Sequence, residues 1–254
     1  MNWNPTWICP ANDLGDPAAV FGTSFVFEKK ITHANLTITA MGVYEARLNG
    51  RRVGQFVMAP GWTSYHKRLQ YQKYDITDLL TNGKNEIEIT VGKGWYRSPL
   101  PGWLGCAYQD ELRSRPCGLA AQITLTFEDG SSKILSTDES WKVSDGPVRF
   151  SEIYDGEIYD SAKTPLLDQP VTIFDGPTDT LILQQGEEVC EQERLAVKKV
   201  FVTPNGETVL DFGQNMTGYV ELFVNAKAGD CVDLSFAEVM DKEGNFYTEN
   251  YRGA

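Results

Sequence analysis

The chain has 254 residues, enough for one large domain or two ordinary ones, and 41% of them are hydrophobic, which excludes global disorder. The formal net charge is −12. An acidic surface of that size argues against nucleic acid or an anionic membrane as the main partner and leaves a neutral ligand such as a sugar open.

The chain opens Met1-Asn2-Trp3-Asn4-Pro5-Thr6-Trp7, with neither a basic n-region nor an apolar h-region. No run is long enough to span a bilayer, so the expected location is cytoplasmic. Strand-like alternation follows in Leu36–Ala40, Ile87–Val91 and Ile123–Phe127, and again in Val220–Val224 and Val232–Phe236. A side-chain period of two sets one face of each segment on a core and the other in water. Asn49-Gly50, Asn82-Gly83, Asp129-Gly130, Asn205-Gly206 and Glu243-Gly244-Asn245 punctuate these runs, and such pairs suit tight hairpins. One helical turn is expected at Asp75–Leu80, capped by Asp75 or Thr77. The fold class is all-β: two antiparallel sandwich or jelly-roll domains joined by an ordered connector. The boundaries read 1–145 for the first sandwich, 146–190 for the connector and 191–254 for the start of a second, incomplete sandwich. The connector is marked by Pro147, Pro165, Pro170 and Pro177, yet it carries Phe150, Ile153, Tyr154, Tyr159 and Phe174.

Few residues offer catalytic chemistry. His33 and His66 are the two histidines, each isolated in sequence, and read as surface or hydrogen-bonded structural residues. The five cysteines have no C-x-x-C spacing and read as thiols rather than zinc ligands. Gly92-Lys93-Gly94-Trp95 is not a phosphate loop, because Pro99 and Pro101 forbid a following helix. With 35 acidic residues, some carboxylate pair is inevitable, so number alone identifies no glycosidase dyad.

Two clusters stand out. Trp95, Tyr96, Arg97, Trp103 and Tyr108 combine flat rings with a guanidinium in a loop after a strand. Rings of this kind stack on the apolar face of a sugar while Arg bonds its hydroxyls; they equally cap a sandwich or dock a neighbouring domain. Glu152–Asp160 mixes acids with tyrosines, and Asp155, Glu157 and Asp160 offer oxygen ligands to a hard cation such as Ca²⁺. No motif requires a cofactor. A solvated loop pinned by its tyrosines is the simpler account of this second cluster.

Several strings together resemble the N-terminal region of bacterial α-L-rhamnosidases. They are Ile38–Gly50, Ala59-Pro60-Gly61-Trp62-Thr63-Ser64-Tyr65, Tyr71–Thr77, Gly92–Tyr96, Asp155–Asp160, Asp211–Gly218, Phe236–Asp241 and Asn250–Ala254, in that family's order. The resemblance implies a galactose-binding-like first sandwich ahead of an (α/α)₆ barrel that carries the catalytic carboxylates of an inverting glycoside hydrolase. It implies L-rhamnose-containing glycosides as substrates of the parent enzyme, the barrel as partner of this region, and no catalytic residue within it. Some relatives hold a calcium-assisted rhamnose-binding module in the first sandwich. A stand-alone rhamnose-binding module and a purely structural sandwich are the alternative readings.

Overall fold

The computed structural model describes residues 3–98, 110–111, 114–227 and 229–251. The chain divides into two compact units, Met1–Glu191 and Gln192–Ala254.

The first unit contains β1 (Trp7–Pro10), β2 (Ala19–Phe27), β3 (Ile31–Ala40), β4 (Val43–Leu48), β5 (Arg51–Arg52), β6 (Leu69–Asp75) and β7 (Gly83–Gly92). A single helical turn, α1 (Gly94–Arg97), comes next. It is followed by β8 (Leu119–Phe127), β9 (Ser132–Ser136), β10 (Lys142–Asp145), β11 (Val148–Glu152), β12 (Gly156–Tyr159), β13 (Gln169–Phe174) and β14 (Leu181–Leu183). The hydrogen-bonded order is β14-β6-β3-β8-β1-β13-β10-β2-β7-β4-β5, with β9 beside β8. Every pairing along it is antiparallel except β14 with β6. β13 joins the two faces of the sandwich: Val171–Phe174 pair with β1, while Gln169 and Pro170 pair with β10. Residues 169–183, in the segment expected as a connector, thus supply two strands of the first unit.

The alternation seen in the sequence builds the core. Ala34, Leu36, Ile38 and Ala40 of β3, and Leu119, Ala121, Ile123 and Leu125 of β8, form one inner wall. Phe21 of β2, Ala46 and Leu48 of β4, Ile87, Ile89 and Val91 of β7 and Val143 of β10 form the other. Each fully buried Leu, Ile or Phe contributes about 2 kcal/mol over leaving it in water. Asn49-Gly50 joins β4 to β5 and Asp129-Gly130 joins β8 to β9, as their composition predicts. The expected turn at 75–80 is a 3₁₀ turn, Thr77–Leu79, and the Asp75 carboxylate accepts the Thr77 N–H at 2.9 Å.

Among its described residues the second unit holds two hairpins, β15 (Lys199–Val202) with β16 (Thr208–Asp211) and β17 (Val239–Met240) with β18 (Phe246–Tyr247). Val220–Val224 and Val232–Phe236 are not strands here, although both alternate. Their apolar side chains are exposed, Phe223 to 86%. Alternation provides a face to bury, but a strand also needs a ladder partner, and neither segment has one among the described residues. No helix in the described residues is long and apolar enough to cross a membrane.

Candidate functional site

The residues around Trp95 are set by a tight turn at the end of β7. Gly94 has φ +53°, and a Cβ there would sit 2.6 Å from Val43 Cγ1 and 2.9 Å from Val43 N, so glycine is required. This turn places Trp95 against Trp62, a residue of the loop between β5 and β6. The two indoles are parallel, 4° apart, with centroids separated by 6.0 Å. Trp95 is half-buried and Trp62 is 55% exposed, so the pair presents an aromatic shelf to water.

The Trp62 loop is held from beneath by buried amides of β6. Gln70 Nε2 and Gln72 Nε2 donate to the Pro60 carbonyl at 3.1 and 3.4 Å. Gln72 Oε1 accepts from Tyr44 Oη at 2.8 Å. Burial pushes the Tyr44 phenol well above its ordinary pKa, and neighbouring Tyr74 adds to the shift, so both stay neutral hydrogen-bonding groups at physiological pH. Tyr65 Oη donates to Gly61 O at 3.3 Å, and its ring meets that of Tyr96 at 4.8 Å.

The aromatic cluster read from the sequence therefore divides. Trp95 belongs to the exposed shelf. Tyr96 is 1% exposed, packs in a small core with Trp7, Met41, Tyr65 and Leu69, and accepts from Arg115 Nη1 at 2.9 Å. Arg97 lines a separate cleft. Trp103 and Tyr108 lie outside the described residues. The sequence gives Trp62 one signal only, an isolated Trp in a Pro-Gly loop. Glu111 and Arg115 were missed altogether. Glu111 bonds Arg115 at 2.6 Å and lies 3.4 Å from His66 Nε2, and its carboxyl is held below the usual range, first by the Arg115 hydrogen bond.

Asp155, Glu157 and Asp160 are all exposed at the β11–β12 hairpin, and Asp160 Oδ1 accepts from Ala162 N at 3.0 Å. Among the described residues no group of three or more His, Cys, Asp and Glu side chains converges to hold a metal ion.

The hairpin itself is tied to the sandwich by Lys93. Its Nζ bonds Glu152 at 2.6 Å and Asp16 at 3.1 Å and lies 5.0 Å from the Phe150 ring centroid. Burial alone would lower the Lys93 pKa, but the hydrogen bonds to Glu152 and Asp16 outweigh it and raise the value above 10.5. The Glu152 side chain is only 9% exposed, so Lys93→Met strands a desolvated carboxylate and is expected to cost about 2 kcal/mol in urea unfolding. Because the folded pKa is raised, this contribution is complete below pH 10.5 and is lost as pH climbs through the folded value. Wild type and Lys93→Met should therefore converge in stability above that pH.

The fold and site define an antiparallel β-sandwich with an exposed aromatic shelf, and comparison with known proteins makes the placement specific. Residues 29–193 match the α-L-rhamnosidase N-terminal domain, and residues 201–254 match the bacterial α-L-rhamnosidase concanavalin-like domain. The chain belongs to the α-L-rhamnosidase N-terminal domain family. It is 37% identical over 237 residues to an α-L-rhamnosidase of Streptomyces avermitilis, covering 89% of this chain and 22% of that protein. It is 34% identical over 242 residues to one of Formosa agariphila, covering 91% and 26%. Among solved structures, the Streptomyces avermitilis α-L-rhamnosidase complexed with L-rhamnose superposes with a TM-score of 0.82 at 35% identity, over 94% of this chain and 24% of that one. The native Aspergillus terreus α-L-rhamnosidase gives 0.75 at 36%, over 84% and 26%. The chain spans about a quarter of the length of the curated relatives it matches.

Proposed function

We propose that these residues form the accessory N-terminal region of an α-L-rhamnosidase that removes terminal α-linked L-rhamnose from glycosides. In this reading catalysis belongs to an (α/α)₆ barrel elsewhere in the parent protein, and this region binds the rhamnoside through the Trp62–Trp95 shelf. The observation that carries the reading is the parallel, water-facing indole pair on a rigidly supported loop. The C6 methyl and axial hydrogens of L-rhamnose give it an apolar face that fits such a surface. A stacked ring contributes about 1 kcal/mol beyond the area it covers.

The test is calorimetry of the chain with L-rhamnose at millimolar concentration. Binding heat is expected, and Trp62→Ala should weaken it about tenfold. Repeating the titration in EDTA separates the shelf from a Ca²⁺-assisted site at Asp155, Glu157 and Asp160: a response lost in EDTA would move the binding role to those carboxylates. No heat from the wild type, or an undiminished response in Trp62→Ala, would overturn the binding role and leave the shelf as a contact for the barrel. The accessory reading is tested separately with a chromogenic rhamnoside: residues 1–254 should not turn it over.

A further inference from the structure

A cleft of about 290 Å³ opens in the first unit between the segment before β2, the end of β7 and the segment before β8. Neither Trp62 nor Trp95 lines it. Among the described residues three cations do, and two of them are satisfied. Lys93 is bonded to Asp16 and Glu152, and Arg115 to Glu111 and Tyr96.

Arg97 is different. It is half-buried, it makes no ion pair among the described residues, and its Nε is fully buried without a hydrogen-bond partner. Its neighbour is the Cys117 thiol, a weak hydrogen-bond partner whose pKa burial pushes up to about 11, although the charge and hydrogen bond of Arg97 pull it the other way. At neutral pH that thiol is uncharged and balances nothing. A guanidinium keeps its charge at any physiological pH, and a partly buried one normally has an anionic or multiply hydrogen-bonded partner.

We propose that this cleft binds the carboxylate of an acidic sugar, with Arg97 as the anion contact. The planar guanidinium matches a carboxylate in two parallel hydrogen bonds. The volume lies near the lower end of ligand pockets, about 300 Å³, which suits a single pyranose. The rest of the lining separates a sugar acid from an inorganic anion. Asp13 and Asp16 face the same cleft, and Ser114 and Ser151 add hydroxyls. Two carboxylates repel a doubly charged phosphate or sulfate, yet they accept hydrogen bonds from the ring hydroxyls of a singly charged uronate. This site is separate from the Trp62–Trp95 shelf, so each can fail without the other.

Calorimetry of the chain at low salt with D-galacturonate, its methyl ester, D-galactose and sodium sulfate tests the proposal. Galacturonate should bind about tenfold more tightly than galactose or the ester, and Arg97→Met should remove that advantage. Trp62→Ala should leave galacturonate binding within about twofold, which distinguishes this site from the rhamnose shelf. Equal affinity for galacturonate and its ester, sulfate binding as tight as galacturonate, or a response unchanged in Arg97→Met would each overturn it. If Arg97→Met does not fold, as judged by circular dichroism, the wild-type comparison of acid with ester decides on its own.

Discussion

Gly42→Ala is expected to destabilise the first unit by about 3 kcal/mol or more. Gly42 makes the turn from β3 into β4 with φ +151°, a conformation L residues avoid. A Cβ at this position would lie 2.1 Å from the Gly92 carbonyl oxygen. That oxygen belongs to β7, where Gly92 pairs with Val43, so the clash falls on a backbone ladder rather than on a side chain that can rotate away. Relief requires β4 to move off β7, which opens the wall carrying Ala46, Leu48, Ile87 and Ile89. A domain of this kind is stable by about 5–15 kcal/mol, so the loss is a large share. Urea unfolding followed by tryptophan fluorescence checks it; a midpoint within error of wild type would show that the turn relaxes without cost. The shelf should suffer as well, because Gly94 packs against Val43 in the same corner.

Asn85→Leu ranks second. Asn85 is fully buried at the start of β7 and organises two turns at once. Its Oδ1 accepts from Asn49 Nδ2 and from Thr81 N, both at 2.8 Å. Its Nδ2 donates to Thr81 O at 2.9 Å and to Gly83 O at 3.1 Å. Leucine has a similar volume but leaves these groups without partners, at about 1–3 kcal/mol for each one that stays buried. A net loss of about 3 kcal/mol is expected. Asn85→Asp separates polarity from packing. It keeps the acceptor but places a carboxyl in a site with no counter-ion, so its folded pKa rises above the unfolded value near about 4. The variant should then be most stable at low pH and lose stability as pH rises through that unfolded value, a trend opposite to that of a salt-bridged carboxylate. A flat difference between wild type and Asn85→Asp across pH 3–7 (roughly the carboxylate titration range) would contradict this account.

The positions of both residues illustrate how the sequence relates to the structure. The all-β class, the inward faces of β3, β7 and β8, and the turns at Asn49-Gly50 and Asp129-Gly130 were legible, because period-two burial and turn preference are local properties. The aromatic stretch after β7 was legible as a place of interest, again from local composition. Which of its members face water was not. Tyr96 and Trp95 are neighbours, yet one is sealed against Tyr65 while the other stacks on Trp62, more than thirty residues earlier in the chain.

The same limit applies to strand formation itself. Ile123–Phe127 and Val220–Val224 alternate in the same way, but among the described residues only the first pairs, with β3 on one side and β9 on the other. Pairing is a long-range event that needs a complementary edge at the right register, which alternation does not encode. Likewise the loose, proline-marked residues 169–183 gained two strands because β1, β10 and β6 offered open edges. The amino-acid sequence by itself determined the class of fold, the inward faces and the family this chain belongs to. Only the tertiary structure decided that Trp62 meets Trp95, that Lys93 is neutralised by Glu152 and Asp16, and that Arg97 lines a cleft with no ion pair among the described residues. Each of these depends on distances between residues far apart in the chain, and those distances are set by the packing of the two sheets.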